Sequence, residues 1–213
     1  MQGIDVGQLL TAFLILLFSL TIHESAHAWT ADRLGDPTAR LLGRVSLNPL
    51  VHIDPIGTIL FPLLGVLSPV PLIGWAKPVP VNISRLRRHR RDYVLVAAAG
   101  PASNLILALL ASSVLHALPA PAAVINGAVE LGPVADVAMR MIEINVLLAL
   151  FNMVPVPPLD GGNVLAGLLP DQLGHVVDGL RQYGFLIIYA LMLTGTIWTL
   201  IGPLFVLLTS WLR

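Results

Sequence analysis

Leu9–Trp29 reads LLTAFLILLFSLTIHESAHAW, an apolar run without Pro or Gly that closes on two histidines and a glutamate. A run of about 20 such residues is what a helix needs to cross the hydrocarbon core of a bilayer. The first span is therefore predicted over about 6–28. It follows MQGIDVGQ, which has no Lys or Arg, so the basic n-region of a secretory signal is missing and the segment is expected to be retained.

The rest of the chain has the same character. Of 213 residues 56% are hydrophobic and only 11% charged, and Lys plus Arg equal Asp plus Glu at 12 each. The apolar runs mark a membrane protein, and the lack of a basic excess argues against nucleic acid as a partner. With no cysteine, disulfides and thiolate metal sites are excluded. PIGTILFPLLGVLSPVPLIGW, at 55–75, is apolar but broken by Pro and Gly, so the segment 55–74 is expected either to span or to re-enter. In GWAKPVPVN, at 74–82, Val79 and Val81 alternate around prolines, the pattern of an edge strand. Further spans are predicted over about 93–118, where AAAGPASNLILALLASS offers small residues for close helix approach, over 137–156 and over 185–208. The stretch from Pro170 to Arg181 reads as an amphipathic surface segment. The expected fold is an all-α polytopic membrane protein, a single domain over 1–213. It has about four to six transmembrane or re-entrant segments and a small membrane-associated β element.

His23-Glu24-Ser25-Ala26-His27 fits the pattern HExxH. On a helix, residues i and i+4 share a face, so both imidazoles can reach one zinc ion, with the glutamate beside them to act on a water. Ionisable groups in the last turns of an apolar helix are costly unless they pair or bind something, which favours a functional site over a merely polar helix end. A hydrolytic zinc site needs a third protein ligand. The candidates are His52, Asp54, His89, His116, Asp160 and His175. His89 lies in a basic cluster, His175 in a surface stretch, and His116 toward the far end of its span. His52 and Asp54 are closer rivals. Asp160 stands best placed, because NMVPVPPLDGG breaks the helix with prolines and leaves a carboxylate on irregular backbone beside the membrane, tolerable only where it lines a polar cavity.

HESAHAW at the end of the first span, GPASN in the third and NMVPVPPLDGG at the end of the fourth together resemble the site-2 protease family of intramembrane zinc metalloproteases. The resemblance covers nearly the whole chain and is closest to compact members without a PDZ domain, as NPLVHIDPIGT also suggests. It implies one zinc ion per chain on His23, His27 and Asp160, with Glu24 as general base. It also implies peptide-bond hydrolysis in or near transmembrane segments of other membrane proteins, as in regulated intramembrane proteolysis. A transmembrane substrate must unwind before it is cut, and an edge strand can hold it, so Lys77, Val79 and Val81 are candidate substrate contacts. Asn104 and Asn152 are two more, although general grounds favour interhelical hydrogen bonding as their role. A metal transporter, or an inactive scaffold of the same fold, is the competing expectation. Transporters, however, place ligands at several depths, and Glu24 would have no task in one.

One metal requires its ligands at one depth. Nine of the twelve basic residues lie between Arg33 and Arg91, which marks that region as cytoplasmic. The N-terminus is then outside, in what is expected to be the cell membrane, and the first and fourth spans both run inward, placing Asp160 level with the histidines near the cytoplasmic side. This requires an even number of crossings between Asp54 and Arg85. Single cysteines replacing Arg40 and Arg88 in this cysteine-free chain are expected to react with an impermeant thiol reagent from the same side of the membrane; labelling from opposite sides would contradict the arrangement.

Overall fold

A computed structural model describes residues 5–67, 74–119, 123–125, 128–130, 132–170 and 174–213. The apolar run that opens the chain is one helix, α1 (Val6–Arg33), started by the Asp5 carboxylate, which accepts the N–H groups of Gly7 and Gln8. A short turn of helix, α2 (Thr38–Leu41), follows. Pro55–Leu60 is wound as a π-helix that runs into α3 (Phe61–Leu67). The basic stretch leads into α4 (His89–Ala117), and two three-residue strands, Ala123–Ile125 and Ala128–Glu130, pair antiparallel in the connection to α5 (Pro133–Asn152). Then come α6 (Asp160–Leu168), α7 (Gly174–Leu193) and α8 (Thr196–Leu212).

Among the described residues two helices, α1 and α4, are long and apolar enough to cross a membrane, and the pair α7 and α8 makes a third if its halves are one span. The helices of that pair are bent by 72° at Thr194–Gly195, where Gly195 has φ +71°. The expectation of four to six segments is thus too high. α5 carries Asp136, Arg140 and Glu143 in its first turns, which leaves too short an uncharged run, and the described residues of the Pro- and Gly-broken second segment give a short apolar helix over Pro55–Gly65. Of the surface stretch from Pro170 to Arg181, residues 171–173 lie outside the described residues, and the remainder opens α7.

α4 is the centre of the molecule, with α1, α5 and α6 packed on it. The packing surfaces are small: Ala28 and Ala31 on α1, Ala97, Ala108 and Ala111 on α4, and Ala138 and Ala149 on α5 are all buried. Ile142, Val146, Ile188 and Ile201 are buried between helices, but many large apolar side chains point outward, among them Leu10, Leu14 and Phe18 on α1, Ile106 and Leu110 on α4, and Leu204 and Leu207 on α8. Lipid removes the hydrophobic drive between helices, so close backbone approach through small residues holds them while the bulky ones meet acyl chains.

No strand forms at 74–82. The segment is a strap fastened to several elements in turn, and the N–H groups of Trp75, Lys77, Val79 and Asn82 find partners outside any sheet. Trp75 N–H reaches Gly57 O at 3.1 Å and Lys77 N–H reaches His52 O at 2.8 Å, while the Thr58 hydroxyl donates to Trp75 O at 2.8 Å. The chain thus returns to where the second segment left. The buried Arg44 guanidinium donates to Lys77 O at 2.5 Å. At the far end Asn82 N–H reaches the fully buried Asp36 carboxylate at 2.6 Å, which also accepts from the Thr38 amide and hydroxyl. Asp36→Ala would leave three donors without an acceptor and is expected to lower stability by about 2 kcal/mol or more, read from thermal unfolding in detergent.

Candidate metal centre

Three polar side chains from distant parts of the chain meet beside α4. His23 and His27 occupy successive turns of α1, with Nε2 atoms 3.0 Å apart. Asp160, the first residue of α6, places Oδ2 at 3.1 Å from His23 Nε2 and Oδ1 at 3.3 Å from His27 Nε2. One ligand atom from each lies within 4.8 Å of the others. Both histidines are buried.

The other ring nitrogens determine what these atoms are. His23 Nδ1–H donates to Asn104 Oδ1 at 2.6 Å, and His27 Nδ1–H donates to Val96 O at 2.7 Å. Both partners are acceptors, so in the neutral rings each Nε2 holds a lone pair. Asp160 Oδ2 is buried without a hydrogen-bond donor. Two nitrogen lone pairs and a carboxylate therefore converge in a buried site. A proton would serve one pair of these atoms; a metal ion serves all three, which is the usual reason for such a cluster of unpartnered acceptors. The set of two nitrogens and one oxygen fits zinc in a hydrolytic site with a position left open.

The backbone around the cluster explains the glycines. A Cβ at Gly100 on α4 would collide with His27 Nε2 and stand 2.6 Å from His23 Cε1 and Nε2. At Gly161 and Gly162 a Cβ would strike the main chain of Met153 and Pro157. The LDGG turn thus lies directly on the prolyl loop before it, and this contact presents Asp160 to the histidines.

Glu24 lies between the two histidines in sequence, half-buried, and its Oε2 accepts the Val79 N–H at 3.0 Å. The strap therefore passes beside the glutamate. Of the rivals for third ligand whose side chains are described, none joins the cluster. His52 Nε2 bonds Ser46 O at 2.9 Å, Asp54 caps Ile56 and Gly57, His89 bonds Ile83 O and His116 bonds Ser112 O. The His175 side chain lies outside the described residues.

Residues 121–195 match the family described as Peptidase family M50. The protein named "Putative zinc metalloprotease YwhC" of Bacillus subtilis is 38% identical over 179 residues, 84% of this chain and 78% of the relative. This chain belongs to peptidase family M50, the site-2 protease family. The enzyme class that goes with the family is a zinc metalloprotease, and the donor set described above fits it. "Putative zinc metalloprotease Rip2" of Mycolicibacterium smegmatis is 32% identical over 181 residues, and this M50 chain spans 64% of its length. Rip2 of Mycobacterium tuberculosis H37Rv is 31% identical over 182 residues, with 66% of its length spanned. No solved structure matches the chain.

The candidate substrate contacts lie differently from one another. Lys77 is exposed and Val79 and Val81 are half-buried on the strap. Asn152 is half-buried, and its amide donates back to Leu148 O within α5. Asn104 is fully buried, with its oxygen on His23 and its nitrogen on Asn145 Oδ1 at 2.9 Å. Its amide has no end left for a substrate, which corrects that expectation. Asn145 is a further member of the site, and its signal in the sequence is an amide at the start of the apolar run that follows Glu143. Gly100→Ala is expected to keep its helical circular dichroism and lose bound metal, measured as metal content per chain. A variant with full metal content would contradict this placement of the ligands.

Proposed function

We propose that this M50 chain is an intramembrane endopeptidase that hydrolyses peptide bonds in or near transmembrane segments of other membrane proteins. The observation that carries the reading is the convergence of His23, His27 and Asp160 in the buried space beside α4, next to a glutamate, in a chain whose outward face is apolar. His23, His27 and Asp160 would hold one zinc ion per chain. When bound there, zinc supplies Lewis acidity toward the scissile carbonyl and the attacking water.

The chain's own residues supply the rest. Val79 N–H fixes Oε2 of Glu24, so the proton work falls to Oε1. Glu24 takes a proton as water attacks the carbonyl carbon and returns it to the amide nitrogen as the C–N bond breaks. A transmembrane helix hides its carbonyls in its own hydrogen bonds, so the cut requires an unwound segment. The strap with Lys77, Val79 and Val81 would hold that segment by main-chain contacts. Because the strap is bonded to Glu24, a segment laid along it arrives beside the base. The return of the chain from Trp75 to Gly57 supports re-entry of the second segment and an even number of crossings. The site then lies near the cytoplasmic side of the cell membrane, with the N-terminus outside.

The test is cleavage of a reconstituted single-span substrate. Glu24→Gln is expected to lose cleavage by about 10²-fold or more while zinc content stays at one per chain. Asp160→Asn is expected to lower both zinc content and cleavage. Full activity in Glu24→Gln would sink the proposal.

A further inference from the structure

Behind His23 lies a polar chain that no step above uses. Ser19, Asn104 and Asn145 are each fully buried, one on each of α1, α4 and α5. Asn145 gives its amide N–H groups to Ser19 Oγ and Met141 O, both at 2.9 Å. Its oxygen therefore faces Asn104, which must answer with its own NH₂, at 2.9 Å. That NH₂ also approaches Ser19 O at 3.5 Å. With its nitrogen so engaged, Asn104 can turn only its oxygen toward His23 Nδ1.

The polarity of this chain has one direction. Met141 O is a backbone carbonyl and can only accept, so Asn145 cannot reverse its amide without placing oxygen against oxygen. Neither, in consequence, can Asn104. The proton of neutral His23 is thereby held on Nδ1 and the lone pair on Nε2, the atom that faces His27 and Asp160. For His27 the same end is reached directly, by the Val96 carbonyl. The two metal-facing histidines are thus oriented by different means: one by main chain, the other by a relay of side chains that crosses three helices. We infer that Asn104 and Asn145 are positioning residues of the metal centre, with Asn145 acting through Asn104, and that this relay sets the ring orientation and tautomer of His23 for metal binding. The inference rests on the metal site proposed above and deepens it.

The competing role for two buried amides is interhelical adhesion, which would alter stability and leave the metal alone. Zinc affinity distinguishes them. It is measured on the purified full chain in detergent by competition with a chelator, together with the absorption spectrum of the cobalt-loaded protein. Asn104→Leu is expected to weaken zinc about 10–100-fold, the usual effect of losing a histidine's outer partner, and to change the cobalt spectrum. Asn104→Asp keeps an acceptor for Nδ1–H but loses the donor to Asn145 Oδ1, and is expected to retain zinc better than Asn104→Leu. Asn145→Leu touches no ligand, yet is expected to weaken zinc in the same direction, and the double Asn104→Leu, Asn145→Leu variant to fall no further than Asn104→Leu alone. If Asn104→Leu does not fold, Asn104→Ala carries the same reading. Parent-like zinc affinity in folded Asn104→Leu or Asn104→Ala overturns the inference, as does equal loss in the Asp and Leu variants or full additivity in the double variant. A parent that binds no zinc overturns the metal site itself, so the two failures are distinct.

Discussion

Two imidazole lone pairs held 3.0 Å apart against a carboxylate, in a buried setting, are the constraint on which this molecule is built. Like-charged or lone-pair-bearing atoms do not gather in a low dielectric unless something of opposite charge answers them. Every nearby element serves to hold that arrangement. α1 supplies the helical spacing, α4 the hydrogen-bond partners on the far side of both rings, and the prolyl turn before α6 the carboxylate.

Such a polar interior is possible because the helices pack through small residues. Where Ala97, Gly100 and Ala108 face neighbouring helices, backbones come close and the few buried amides and hydroxyls can reach one another. Larger side chains at those positions would separate α1 from α4 and leave Asn104 and His23 out of reach. Bulky residues are displaced to the outer face, where they meet acyl chains. Small and polar residues at the α1–α4 contact, with many large apolar ones on the outer face, follow from the solvent, while Ile142, Val146, Ile188 and Ile201 form ordinary apolar clusters between the other helices.

The strap couples this interior to the loops. Its ties to Gly57, His52, Arg44, Glu24 and Asp36 are all made to or by its main-chain groups, so hydrogen bonds fix its course. That is why an alternation of Val and Pro suggested a strand that is absent. Pro78 and Pro80 lack the N–H groups a ladder would need, and those of Lys77 and Val79 are already committed to His52 and Glu24. A periodic pattern shows that a segment is extended; it does not show what the segment is bonded to.

The sequence by itself determined the first helix, the histidines one turn apart on it and the carboxylate behind a proline break, because each follows from local rules of length, periodicity and backbone restriction. Asp160 could be favoured among six candidates by its setting, but only tertiary structure decided that His52 and Asp54 turn elsewhere, to Ser46 and to the helix they cap. The number of crossing helices likewise depended on helix bounds, with α5 starting early enough to include Asp136, Arg140 and Glu143, and on the 72° bend between α7 and α8. Least legible was the relay through Asn145 and Asn104. An amide in an apolar run shows that a partner is needed, but which partner it finds depends on three helices meeting at one level, and no local rule contains that.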